Sequence, residues 1–182
     1  SFPIESLGYR SFRQVCDEMD WQIFTPTSSV RPYTAVFGEE MNIWFDRSLD
    51  WQKLGVDDLY EDVEGLQNSG DFIMKGLDSV IDDFQIAVLG GFSMGGGLAL
   101  NMLRRADLPD KVAGVFSMGS FVTMHSQLLT EDLSERTKRT PVLMMHGSAD
   151  AMIPIDWAEK TASSLLLKGS EVQFRKYGGV DH

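Results

Sequence analysis

Five residues, Gly91-Phe92-Ser93-Met94-Gly95, form a G-x-S-x-G pentapeptide between an apolar run, Ile86-Ala87-Val88-Leu89, and a helix-prone stretch that starts at Met94. A serine at such a strand-to-helix turn is held in a strained backbone conformation, and glycine is needed two residues to either side because a Cβ there would meet neighbouring chain. The turn presents the Ser93 hydroxyl at the carboxyl edge of a sheet. It also aims the Met94 N–H, at the positive end of the helix, where it can receive an oxyanion. Glycine-rich turns after strands bind phosphate as well, but neither G-x-G-x-x-G nor a G-K-[S/T] ending is present, so a nucleotide site is excluded.

A serine hydroxyl needs a base to take its proton, and on a sheet of this kind the partners follow in the order serine, acid, histidine. Three histidines exist. His125 and His146 precede the best acid, Asp150, whereas His182 follows it, directly after Gly178-Gly179-Val180-Asp181. Asp150 lies in His146-Gly147-Ser148-Ala149-Asp150, just past an apolar run that ends at Met145. Asp181 is the rival acid, although a residue adjacent to the histidine is hard to place behind the ring. Alone, His182 would also read as a terminal turn residue. Ser117 and Ser120 follow a strand too but lack the flanking glycines, and they read as residues that shape the loop beside the site. His146 reads as a buried, hydrogen-bonded ring rather than a second base.

These positions require a scaffold. The apolar spacing over Leu7 to Met19 predicts an amphipathic helix with Ser6 as its cap. Trp21 to Thr25 is β-prone, Thr27 to Pro32 a polar connector, and Thr34 to Val56 an irregular excursion. Asp57 to Asp83 is helical in pattern, interrupted near Asn68-Ser69-Gly70, with Phe72, Ile73, Leu77, Val80, Ile81 and Phe84 on one face. Ile86 to Leu89 reads as a strand covered on both faces, followed by a helix from Met94 to Arg105. Strands at Val112 to Phe116, Pro141 to Met145 and Glu171 to Tyr177 alternate with a helix from Ile155 to Lys168. The charged run from Glu131 to Arg139 reads as a solvated loop. This alternation implies an α/β fold, a mostly parallel sheet with helices on both faces and active residues at the carboxyl ends of its strands.

The chain has 182 residues, 43% hydrophobic and 24% charged, as expected of one domain spanning 1–182. Sixteen basic against twenty-seven acidic residues leave a net charge of −11, a field that repels phosphate backbones and anionic lipid heads and argues against nucleic acid as a partner. A single cysteine, Cys16, has no internal partner, and no Cys-x-x-Cys or His-Cys cluster is present; a reducing compartment, the cytoplasm, and no structural zinc follow. No run reaches the roughly 20 apolar residues of a membrane span, so stable membrane insertion is not expected. No metal or cofactor is implied.

Gly90 to Gly96 with its Phe-Ser-Met-Gly core, Trp44-Phe45-Asp46, His146-Gly147 with Asp150, and the closing Tyr177 to His182 together resemble the acyl-protein thioesterase and lysophospholipase family of α/β-hydrolases. Trp157-Ala158-Glu159 adds a likeness to its lysophospholipase-like protein 1 group. The resemblance runs from about Gly8 to His182. It implies Ser93 as nucleophile, His182 as base and Asp150 as orienting acid, acting on acyl esters or thioesters, S-acylated proteins among them, through an acyl-enzyme. Lysophospholipase activity is an alternative, as is a non-catalytic hydrolase-like binding module, because Ser1 to Ser6 carries no His-Gly oxyanion loop of the kind that opens family members. The last helix of the family, after the catalytic histidine, is not in the sequence either. Trp44, Phe45 and Phe121 could border an acyl slot; equally, they could simply pack the core.

Overall fold

The computed structural model describes residues 12–83 and 86–182. The start of the expected first helix, with Leu7 and its Ser6 cap, and Phe84 lie outside the described residues. Along the chain come α1 (Phe12–Glu18), β1 (Val30–Tyr33), β2 (Glu39–Asn42), α2 (Trp51–Leu54) and α3 (Val63–Asp78). They are followed by β3 (Ala87–Phe92), α4 (Met94–Asn101), β4 (Val112–Met118), α5 (Gln127–Thr130), α6 (Glu135–Arg139), β5 (Val142–Gly147), α7 (Ile155–Leu167) and β6 (Val172–Tyr177).

The main sheet has four parallel strands in the order β3-β4-β5-β6 and is flanked by helices. Its register aligns Leu89 with Val115, Val115 with Val142, and Val142 with Val172. Strand side chains alternate between faces, so Leu89, Val115, Val142, Met144, Val172 and Phe174 share one face. Ala99, Leu100 and Leu103, together with Ala158, Ala162 and Leu165 of α7, pack onto that face as the principal core. The opposite face differs from the expectation of a strand covered on both sides: Ile86 is 61% and Val88 52% exposed among the described residues. α4 and α7 turn back onto the same side of the sheet, and a continuously apolar run does not by itself say which of its faces they cover.

Other departures have local causes. Residues 21–25 hold no regular structure, and Trp21, Ile23 and Phe24 are exposed; β propensity expresses fit against a neighbouring strand rather than an intrinsic backbone preference. The connector and excursion contain instead an antiparallel hairpin, β1 with β2, pairing Val30 with Asn42 and Tyr33 with Glu39. Pro32 is tolerated because a two-stranded ribbon has only edge strands. α3 runs unbroken through Asn68-Ser69-Gly70, since tertiary contacts use those residues: the Ser69 hydroxyl donates to the Trp44 carbonyl, and Arg105 packs over Gly70. The Asp62 carboxylate caps α3 by accepting from Gly65 N–H at 2.9 Å. Within the charged run, α6 forms behind a Ser134 cap, and Arg136 reaches the Leu108 and Pro109 carbonyls. The helix expected to reach Arg105 ends at Asn101 and tightens into a 3₁₀ turn over Met102–Arg104.

Candidate active site

Three of the four strands of the main sheet, β3, β5 and β6, lead at their carboxyl ends into the segments that carry the candidate residues. β3 delivers Ser93, whose φ of +52° and ψ of −122° confirm a strained turn at α4's N-cap position. Its backbone N–H donates to the Met118 carbonyl at 2.8 Å, which fastens the turn to β4. A Cβ on Gly91 would lie 2.2 Å from the Gly95 carbonyl carbon, so only glycine lets strand and helix approach this closely. Met94 is the first residue of α4, where intrahelical bonding leaves N–H groups unpaired.

Beyond β5, Asp150 sits in a turn whose Met152 and Ile153 N–H groups donate to Oδ1 at 3.0 and 2.8 Å. Burial pushes the Asp150 carboxyl up, but these amides and the His182 ring together outweigh it and hold the group below its usual value. Past β6, the His182 Nδ1 lies 2.7 Å from Asp150 Oδ2 and its Nε2 lies 3.0 Å from Ser93 Oγ. A carboxylate can only accept, so Nδ1 carries the proton and the Nε2 lone pair faces the serine hydroxyl. The Phe92 ring covers the imidazole with centroids 4.7 Å apart.

Asp181, the rival acid, is committed elsewhere: its Oδ1 accepts from Ala151 N–H at 2.9 Å and from His182 N–H at 2.7 Å. Those backbone donors hold its carboxyl below the usual value. His125 is exposed ahead of α5. Ser117 and Ser120 are buried and pack beneath the first turn of α4 at Gly96. Among the described residues no group of three or more His, Cys, Asp or Glu side chains is arranged to hold a metal ion.

Of the three aromatics that could border an acyl slot, Trp44 touches the serine turn: its backbone N–H donates to Met94 Sδ at 3.3 Å, and its indole nitrogen lies 3.7 Å from a Cβ built on Gly95. Phe45 and Phe121 are 9% and 3% exposed and belong to the core, beside Leu66 and Leu98 and beside Leu59 and Trp157 respectively. The Arg47 guanidinium bridges them, 5.4 Å from the Phe45 ring, 5.1 Å from Phe121 and 4.5 Å from Trp51. Sequence patterning missed Arg47, because no charge spacing signals a cation that packs on rings brought together by tertiary folding.

A second glycine governs the histidine. Ala149 N–H donates to the Val180 carbonyl at 3.0 Å and Ser148 N–H to the Tyr177 carbonyl at 2.8 Å, which ties the segment before His182 to the turn carrying Asp150. A Cβ on Gly147 would lie 2.1 Å from the Val180 carbonyl oxygen, a backbone atom that has to move. Gly147→Ala is therefore expected to displace His182 and lower kcat about 100-fold, since misplacement of roughly 1 Å costs that much. Steady-state kinetics alongside thermal unfolding check it; a wild-type kcat would show that the segment absorbs the methyl without moving the ring.

Fold and site together define an α/β-hydrolase with a serine, histidine and aspartate in hydrogen-bonded sequence. The chain belongs to the phospholipase/carboxylesterase family, whose model matches residues 7–182. It is 33% identical over 167 residues to lysophospholipase-like protein 1 of Mus musculus, covering 88% of this chain and 66% of that protein. It is 31% identical over 180 residues to acyl-protein thioesterase 1 of Gibberella zeae, covering 93% of this chain and 72% of that protein. The match thus spans about two thirds of the mouse protein's length. Among solved structures, Arabidopsis thaliana SOBER1 superposes with a TM-score of 0.75 at 21% identity, covering 91% of this chain and 78% of that one. Zea mays acyl-protein thioesterase 2 gives 0.74 at 21% identity, covering 93% and 80%, and both agree in fold.

Proposed function

We propose that this chain is a serine hydrolase that cleaves acyl esters or thioesters through a covalent acyl-enzyme. Ser93 attacks the acyl carbonyl while His182 Nε2 removes its proton; the Met94 N–H receives the developing oxyanion, and Asp150 holds the ring tautomer and faces the imidazolium that forms. His182 then protonates the leaving alcohol or thiol. Water, deprotonated by the same nitrogen, hydrolyses the acyl-serine. The observation that carries this reading is the unbroken relay from Ser93 Oγ through His182 to Asp150, at 3.0 and 2.7 Å. Acyl esters and thioesters, S-acylated proteins included, are the substrate class that the names of the relatives, a lysophospholipase-like protein and an acyl-protein thioesterase, support. No described helix is long and apolar enough to cross a membrane. Cys16, buried and free of a disulfide, fits a reducing compartment, and we place the protein in the cytoplasm.

A fluorophosphonate probe tests the mechanism directly. Covalent capture that maps to Ser93, with matching loss of nitrophenyl ester turnover, is expected. A folded protein that neither labels nor turns over ester would instead be a hydrolase-like binding module.

A further inference from the structure

His146 is buried at 2% exposure on the end of β5, and the relay just described leaves it without a role. Its Nε2 lies 2.9 Å from the Ile153 carbonyl oxygen and 3.3 Å from Asp150 Oδ2. Since the Ile153 carbonyl can only accept, Nε2 carries a proton that it donates to that carbonyl, and the Asp150 carboxylate faces the same N–H. The other nitrogen, Nδ1, is buried with no hydrogen-bond partner among the described residues. A buried polar ring with one nitrogen unpaired is costly where an apolar side chain of similar shape would fit, so its value lies in the Nε2 contacts.

Those contacts meet at the acid. Asp150 Oδ2 is the oxygen that receives His182 Nδ1 at 2.7 Å. His146 approaches the same atom from the protein interior and braces the turn through Ile153, whose own N–H donates to Asp150 Oδ1 at 2.8 Å. We propose that His146 is a positioning residue for Asp150: its Nε2–H, donated to the Ile153 carbonyl, holds the turn and presents its positive end 3.3 Å from the carboxylate oxygen shared with His182, and so sets how strongly Asp150 holds the imidazole.

The proposal rests on the Ser93, His182 and Asp150 reading and extends it. Other charged groups nearby are engaged elsewhere. Asp181 accepts from the Ala151 and His182 amides. On α7, Glu159 pairs with Lys176 at 2.6 Å, Lys160 pairs with Asp57, and Asp156 is exposed.

Removing the His146 N–H dipole leaves the carboxylate less stabilised from within and more basic toward His182. The imidazolium then persists to higher pH, and the ring loses its fixed tilt. His146→Leu is expected to lower kcat about tenfold at unchanged KM and to move the acid limb of the rate profile upward in pH. His146→Gln, whose amide nitrogen reaches the position of the imidazole Nε2, is expected to restore both. If the leucine variant fails to fold, His146→Asn replaces it, because its shorter amide reaches only the Nδ1 position and should not rescue.

A leucine variant with wild-type kcat and an unmoved acid limb would overturn the proposal. So would glutamine and asparagine variants that are equally impaired at equal thermal stability. Ser93→Ala run in parallel keeps the two ideas apart: turnover that survives it defeats the nucleophile assignment itself, whatever His146 does.

Discussion

Ser93→Ala is expected to lower kcat on a soluble nitrophenyl ester by a factor on the order of 10⁶, and His182→Ala by a similar factor. The size follows from the relay acting as one unit. Without the hydroxyl there is no acyl-enzyme to form. Without transfer of its proton to Nε2, 3.0 Å away, the hydroxyl stays a weak nucleophile. Each single change therefore forfeits the whole covalent route, and the Ser93→Ala/His182→Ala double variant should lose little more than either alone. What remains should come from the oxyanion donor and substrate positioning, about 10³–10⁴ over water. Neither side chain supports much of the core, so thermal unfolding should stay near wild type and separate lost chemistry from lost structure. Retention of activity by His182→Ala, with its loss in His125→Ala, would move the base to the exposed histidine ahead of α5.

What was readable in the sequence, and what was not, divides by the range of the interactions involved. The serine turn is written locally: its strain is imposed by residues within two positions, so the glycines flanking Ser93 mark it without knowledge of the rest of the fold. The parallel strands are marked by apolar runs, and their order along the chain singles out Asp150 and His182, side chains that the structure brings within hydrogen-bond distance of each other and of Ser93. Features set by distant partners carry no such mark. Asn68-Ser69-Gly70 looks like a helix break until Trp44 and Arg105 are folded against it. Thr27 to Pro32 looks like a polar connector until its end proves to pair in a hairpin whose edge strands tolerate Pro32. The exposed side of β3 is equally silent, because Val88 has the same composition whether or not a helix covers it. His146 is the sharpest case: it could be read as a buried, bonded ring, but its approach to Asp150 depends on the turn that brings Ile153 back over the strand.

Asp150→Asn is expected to cost about 10⁴ in kcat while leaving the backbone in place. The carboxylate accepts three hydrogen bonds from Met152 N–H, Ile153 N–H and His182 Nδ1. An asparagine keeps the volume, and its carbonyl oxygen can satisfy the two amides. Its NH₂ then points at His182 and demands an acceptor there, which favours the tautomer with the proton on Nε2. That ring cannot take a proton from Ser93. Loss of the negative charge also removes what stabilises the imidazolium in the transition state, so whatever activity remains should have its acid limb displaced to lower pH. The native protein should behave differently across the same range. The Asp150 carboxyl is held below its usual value, so it stays ionised near neutrality and adds no limb of its own there. Because its folded value lies below the unfolded one of about 3.9, it favours the folded state above that pH, and this contribution disappears only as pH falls through the lower folded value. Acid unfolding of wild type and Asp150→Asn, compared between pH 2 and 6 by circular dichroism, should converge at the acid end and separate as pH rises. A variant with wild-type kcat would show that Asp150 is a structural anchor for its turn rather than the group that orients His182.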